Sequence, residues 1–353
     1  MPTAPINDSG AYVYYEDSGV PSDVRDYATI VLVHGYSFNS ATFRRLFPHA
    51  SARGLRIFTM NMRDYHGSST YSAEELAAMQ GPDTALHAAA VRQFGRDVAG
   101  FLTFVCTTQG VPPLVVDGDR KTGGVALVTW SLSNMALLAI LGDPGTLDSA
   151  SAAVLSRCLR KVVLYDCPNV MAGATFPGGG SSPHFPLFSA EVPPAQRPAA
   201  FAQWISSYFA PPPPGARVTA ETICACAVLP ARAPTVCTLT ADEFADTFEP
   251  SVIERSGLIL GSSGLLATLH QNAHRALLDA DAVLPGVEGV ALWCDQSAWI
   301  CVWGMRALQD FLEREPAPGK RKRQISVKKL ENANHFIHWE DPERFVGVLK
   351  EVV

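Results

Sequence analysis

Charge is scarce in this chain and long apolar runs are absent. Asp, Glu, Lys and Arg make up 18% of its 353 residues against 47% hydrophobic ones, which excludes overall disorder and implies a large buried core. No apolar run approaches the ~20 residues that would cross a bilayer. Residues 1–8 are polar and contain proline, so no secretory leader is expected, and the last three residues match no lipidation or retrieval signal. The net charge of -6 gives no reason to expect nucleic acid or an anionic membrane surface as partner. The one basic cluster, Lys320-Arg321-Lys322-Arg323, reads as a solvated turn. The eight cysteines are scattered, several inside apolar runs, where they behave as small hydrophobes. Cys224 and Cys226 form a lone C-x-C, too little for zinc. Gly123-Gly124 carries no phosphate-loop pattern. No metal or cofactor is therefore expected, and a reduced, cytoplasmic protein is the expectation.

What the chain does have is an alternation of apolar strands and helices. Residues 29–33 form a continuous apolar run, which suits an interior strand of a parallel sheet. Residues 11–16 read as an edge strand, and 56–62, 125–128, 161–165, 289–293 and 324–330 as further strands. Apolar residues at 91, 94, 98, 101, 102 and 105 mark a helical stripe. Helices follow over 135–141, 298–315 and 341–352, the last with Asp341 as N-cap and Pro342 in its first turn. The class is therefore α/β, a mostly parallel sheet with helices on both faces. Residues 168–255 differ: 178–183, 193–194 and 211–214 are Gly-, Ser- or Pro-rich and cannot be sheet interior, while aromatic pieces such as 201–205 lie between them. An inserted lid over 168–255 is expected, between core portions 1–167 and 256–353.

Thr129-Trp130-Ser131-Leu132-Ser133 stands where the apolar strand 125–128 runs directly into the apolar helix 135–141. So abrupt a turn holds its residue in a strained conformation with the side chain raised above the carboxyl end of the sheet, the geometry of a nucleophile elbow. The usual G-x-S-x-G pattern is missing, since Thr129 and Ser133 take the places of both glycines. The competing reading is a helix N-cap supplied by Ser131 or Ser133. A serine nucleophile needs a base, an acid that orients it and two amides for the oxyanion. His335 lies just past the last strand and before the last helix, where such a base must sit. His338, nearer the helix start, is expected to pack or cap.

Val33-His34-Gly35 ending a strand, the turn at Ser131, and His335 followed by His338-Trp339-Glu340-Asp341-Pro342 together resemble the α/β-hydrolase superfamily over nearly the whole chain outside the lid. The resemblance implies oxyanion amides at Tyr36 and Leu132, with His34 shaping its loop more than doing chemistry. Two carboxylates compete for the acid. The position after the penultimate strand that many members use is occupied by Ser297, with Asp295 two residues earlier. Asp166 sits at the tip of the preceding strand, a placement similar to that of fungal zearalenone-type lactonases and cofactor-free ring-opening dioxygenases. Asp166 is the preferred acid. Asp64, His66 and Gly67 read as a turn, and Trp130 and Phe38 as core or pocket lining.

The leading expectation is thus a serine hydrolase with Ser131, His335 and Asp166 as its triad, acting on a hydrophobic small-molecule ester or lactone enclosed beneath the lid. A cofactor-free dioxygenase using the His–Asp pair as base, and a non-catalytic ligand-binding member of the fold, are the alternatives.

Overall fold

The computed structural model describes residues 1–118, 120–176, 184–213, 217–261 and 264–353. The break expected at 178–183 lies outside the described residues, as does Pro214. Among the described residues there are ten strands: β1 (Thr3–Pro5), β2 (Tyr12–Asp17), β3 (Ala28–Val33), β4 (Leu55–Met60), β5 (Val115–Asp117), β6 (Arg120–Thr122), β7 (Val125–Trp130), β8 (Leu159–Tyr165), β9 (Gly289–Cys294) and β10 (Ile325–Leu330). Eight form one sheet in the order β1-β2-β4-β3-β7-β8-β9-β10, and β5 and β6 make a separate hairpin. From β4 to β10 neighbouring strands run parallel, while β1 and β2 join antiparallel at one edge. All of the carboxyl ends that matter below therefore open on the same side.

Both faces of the sheet are covered, which is why β3, β4 and β7 are mostly apolar and buried at every position, Arg56 of β4 included. Along β3, Val31 and Val33 enter one core while Ile30 and Leu32 enter the other. The first core is closed by the helices Thr84–Thr108, Asn134–Gly142 and Leu265–Leu278, and the second by the turn Ser40–Leu46 and the helix Pro342–Val352. Trp299–Glu313 contributes to both. Asp341 caps the last helix as expected, accepting from Arg344 N–H at 3.2 Å.

Two expectations fail for reasons of long-range packing. Arg323 is not solvated. Its guanidinium is buried and donates to the carbonyls of Ala276, Ala280, Val283, Leu284 and Val287, gathering the C-terminal end of Leu265–Leu278 and the loop beyond it. Burial pushes its pKa down to about 10. Nor is the chain reduced throughout: Cys106 and Cys158 are joined by a disulfide that ties the helix Thr84–Thr108 to Ser149–Cys158, a crosslink that restricts the unfolded chain. Cys167, Cys294 and Cys301 are the buried free thiols.

Described residues of 168–255 contact the carboxyl-end loops. Phe209 N–H donates to Gln296 O, Glu249 N–H to Ser37 O, and Asn334 Nδ2 to Ser206 O. Arg255 reaches the buried side chain of Asp64 at 3.1 Å. The short helices Arg197–Ile205, Ala220–Cys224 and Ala241–Thr247 carry this segment. Phe201, Trp204 and Ile205 of the first are buried within the second core. No described helix is long and apolar enough to cross a membrane.

Arg323→Met would leave those five carbonyls without their donor. We expect a loss of ~3 kcal/mol or more of folding stability, seen as a lowered midpoint in urea unfolding. A midpoint unchanged from wild type would contradict the structural role given to this side chain.

Candidate active site

Ser131 follows β7 directly and has φ 58°, a left-handed conformation that non-glycine residues hold only when the surroundings over-determine it. Those surroundings are visible. Thr129 Oγ1 donates to Asn134 Oδ1 at 3.1 Å, and Asn134 Nδ2 donates to Ser131 O at 2.8 Å and Tyr165 O at 3.2 Å. The Ser133 hydroxyl lies 3.0 Å from Val33 O and 2.9 Å from Trp130 O. The residues that replace the usual glycines thus act as hydrogen-bonded staples across β3, β7 and β8. Neither serine caps the helix through its side chain, so the N-cap reading fails. Close approach is instead provided by Gly35, where a Cβ would lie 2.9 Å from Ser131 Cβ and 3.2 Å from the Trp130 ring.

His335, buried at 1% exposure, sits in the loop after β10. Its Nδ1 lies 2.5 Å from Asp166 Oδ2. Asp166, fully buried and at φ 46°, occupies the tip of β8. It also accepts from Cys294 N–H on Oδ1 at 3.0 Å and from the Ser297 hydroxyl on Oδ2 at 2.6 Å. Asp295 is elsewhere: its Oδ1 has no partner, burial raises its pKa, and it lines a surface cleft with Trp293, Lys329 and Arg217. Of the two competing carboxylates, the structure brings Asp166 to His335.

Trp130 connects the two halves of the site. Its indole N–H donates to the His335 carbonyl at 3.1 Å and its ring packs on the imidazole with centroids 4.8 Å apart. His338 packs, as expected. It is fully buried, its Nδ1 meets the Tyr165 hydroxyl at 3.0 Å, and burial beside His335 holds its pKa well below the ordinary value. Phe38 is buried against Trp130, Phe248 and Phe336.

On the opposite side lies the loop after β3. His34 Nε2 accepts from Met62 N–H at 2.9 Å, so the ring proton must be on Nδ1, which donates to Gly35 O at 2.9 Å. Burial pushes this imidazole down to about 4, so the ring is neutral near pH 7 and shapes the loop. Ser37, at φ 63°, donates its N–H to the Tyr65 hydroxyl at 2.9 Å. Among the described residues neither the Tyr36 nor the Leu132 N–H donates to a protein acceptor. A narrow apolar cleft of about 10 Å³, lined by residues including Tyr36, Phe94, Leu132, Met135, Val252 and Ile259, lies beside both.

Two groups escaped the sequence reading. Cys301 Sγ lies 3.6 Å from His335 Nδ1, brought there by the helix Trp299–Glu313. Ser297 was noticed only as the occupant of another residue's place. Asp166, Cys301 and His335 offer ligand atoms within 4.8 Å of one another, yet a cation there would have to displace the Asp166–His335 hydrogen bond.

The chain matches the family model described as the alpha/beta hydrolase family over residues 30–348. Solved structures that resemble it include a bromoperoxidase from Bacillus anthracis, 14% identical with a TM-score of 0.52, covering 99% of this chain and 97% of that one. A putative aryl esterase from Burkholderia cenocepacia has the same identity and TM-score, with 99% and 96% covered. Epoxide hydrolase A from Mycobacterium thermoresistibile is 15% identical with a TM-score of 0.51, covering 99% and 97%. Likeness at this level shows the fold, and the three proteins are named for different activities. No curated protein sequence matches the chain.

Gly35→Ala should force Ser131 and Trp130 apart. We expect a loss of ~1–3 kcal/mol, read as a fall in thermal midpoint. A variant as stable as wild type would show that the close approach is not needed.

Proposed function

The chain belongs to the alpha/beta hydrolase family, and from that premise we propose that it is a serine hydrolase cleaving an apolar ester or lactone. The observation that carries this reading is the buried His335–Asp166 pair, joined through Trp130 to the strained turn at Ser131. With Nδ1 bonded to Asp166, the lone pair of the neutral imidazole is on Nε2, free to take the hydroxyl proton of Ser131. The serine oxygen attacks the carbonyl, the negative charge on the former carbonyl oxygen is met by the Tyr36 and Leu132 amides, and His335 returns the proton to the leaving alkoxide. Water, activated by the same imidazole, then releases the acid. Asp166 holds the tautomer and faces the imidazolium as it forms. In a lactone the alkoxide stays attached to the acyl group, so ring opening follows the same steps. The placement of the acid after β8, resembling that of zearalenone-type lactonases, favours the lactone among ester substrates.

An apolar substrate is supported by the mostly hydrophobic walls of the cleft beside Tyr36 and Leu132, which is only about as large as one water and must widen to admit a substrate. Residues 168–255 serve as its lid in this reading, with Phe201 edge-on to Tyr36 at 5.8 Å. Gly257, just beyond, lies against the same tyrosine ring.

Labelling with a fluorophosphonate should place one covalent adduct on Ser131, located by mass spectrometry. Ser131→Ala and Asp166→Asn should each lower p-nitrophenyl ester turnover by about four powers of ten, with Asp295→Asn within a few-fold of wild type. A folded protein that takes no label at Ser131 would defeat the reading; equal losses at Asp166 and Asp295 would defeat the assignment of the acid.

The acyl side of the site is closed by Val252 and Ile259. Val252→Ala should shift preference toward longer acyl chains, raising the ratio of kcat/KM for butyrate over acetate esters by about tenfold. An unchanged ratio would place the acyl group somewhere other than this cleft.

A further inference from the structure

We propose that Cys301 completes, with Asp166 and His335, a site for a soft divalent cation such as zinc, and that an ion bound there shuts the hydrolase off. Binding of the ion rests on geometry; only its effect on turnover rests on the triad proposed above.

The three side chains present an oxygen, a sulfur and a nitrogen within 4.8 Å of one another, and no other such group of three His, Cys, Asp or Glu occurs among the described residues. Tetrahedral zinc holds a nitrogen and a sulfur ~3.6 Å apart, and a nitrogen and an oxygen ~3.4 Å apart. Cys301 Sγ already stands 3.6 Å from His335 Nδ1. Asp166 Oδ2, 2.5 Å from the same nitrogen, has to retreat by about 0.9 Å, a movement its side-chain torsions can supply. The Ser297 hydroxyl, 2.6 Å from Oδ2, stands by as a neutral fourth ligand. Thiolate and imidazole together select zinc, cadmium or cobalt over magnesium and calcium.

Charge favours the exchange. All three residues are buried, and without the ion the carboxylate carries one negative charge offset only by hydrogen bonds. Zinc held by a carboxylate, a thiolate and a neutral imidazole makes a neutral cluster. One proton leaves for solvent, from the Cys301 thiol. Burial holds that thiol well above its ordinary pKa, so the proton departs only as the ion arrives. The sulfur cannot drift from the acid, because the helix that carries it is pressed against the chain just past Asp166. A Cβ at Gly304 would lie 1.9 Å from Cys167 O, and Asn169 N–H donates to Ile300 O at 2.8 Å.

Inhibition follows from the tautomer. The neutral imidazole keeps its one proton on Nδ1 and its lone pair on Nε2. An ion on Nδ1 moves that proton to Nε2, which then offers Ser131 an N–H in place of the lone pair that accepts the serine proton. Ser131 itself is untouched.

The test uses the whole chain, with cobalt(II) and zinc as probes and every variant checked by thermal melting. Cobalt is read by absorbance, which requires no turnover. We expect the wild type to take up about one equivalent with the charge-transfer band of a cobalt-bound thiolate and the visible bands of a tetrahedral site. Both should vanish in Cys301→Ala and persist when Cys224, Cys226 and Cys237 are all replaced by serine. The second readout is ester hydrolysis after incubation with zinc. Zinc should inhibit the wild type with slow onset, since the site is closed to solvent, and a chelator should restore activity, while magnesium and calcium have no effect. Cys301→Ala should keep metal-free kcat/KM within about threefold of wild type and require about 100-fold more zinc for half-inhibition, because loss of an outer partner alone weakens metal binding 10–100-fold. A folded Cys301→Ala that keeps the cobalt spectrum and the zinc sensitivity of the wild type would overturn the proposal, as would a wild type without the thiolate band. Should that variant not fold, Cys301→Ser, nearly the same size, is read in the same way. If cobalt binds as expected while the wild type hydrolyses no ester, the cation site stands and the hydrolase reading falls.

Discussion

A carboxylate without solvent contact is tolerated only if donors surround it, because its desolvation is otherwise far larger than any single interaction can offset. Asp166 meets that condition with three donors drawn from two places: an amide and a hydroxyl from the β9 end and an imidazole from the loop after β10. None of the three is local to it in sequence. Parallel packing of β8, β9 and β10 has to bring them together, so the buried charge reports on the register of this half of the sheet. A one-residue slip of β9 would withdraw both Cys294 N–H and the Ser297 hydroxyl.

The aromatic layer under the site extends that constraint to the other half. Trp130 is bonded to the His335 carbonyl and packed against Phe38, Phe43, Tyr165, Phe336 and His338. The residue before the strained serine is therefore immobilised by the loop that carries His335. From above, Asn334 donates to Ser206 O and Thr235 Oγ1 in the covering segment. Placement of the imidazole is thus set jointly by the sheet edge, the aromatic layer and the segment 168–255.

Much of this was legible in the sequence, because strands buried on both faces leave unbroken apolar runs whose ends are sharp. The tip of β8 exposed Asp166 to view for that reason, and the abrupt change from Val128 to Met135 exposed Ser131. Residues whose role is set across the sheet left no local mark. Arg323 looked like one more member of a basic cluster, since nothing near it in sequence reveals the five carbonyls it collects. Cys106 and Cys158 are separated by 52 positions, and only the packing of two helices makes them partners. Ser297 was legible as a departure from the pattern of the superfamily but not as a donor, because the carboxylate it serves lies 131 residues earlier.

Backbone strain draws the same boundary around the site independently of side-chain chemistry. Among the described residues six non-glycine positions have left-handed φ: Ser37, Asp64, Ser131, Asp166, Leu284 and Asn332. All but Leu284 lie within four residues of the carboxyl end of a strand, after β3, β4, β7, β8 and β10 respectively. The left-handed conformation opposes folding by roughly 1–3 kcal/mol at Ser37 and Ser131, and by less at Asp64, Asp166 and Asn332, whose short polar side chains tolerate it. Here five of the six positions gather at one edge of one sheet, and two of the five are the proposed nucleophile and the proposed acid. A third, Asp64, has its side chain bonded to Tyr71 N–H and to Arg255 of the covering segment, so strain and hydrogen bonding are spent together. The opposite, amino-terminal ends of the same strands carry no such residue among those described. In this sheet the strain collects where the polar side chains converge, so the packing of the whole sheet holds Ser131, Asp166 and Asp64 in conformations that their local sequence does not favour.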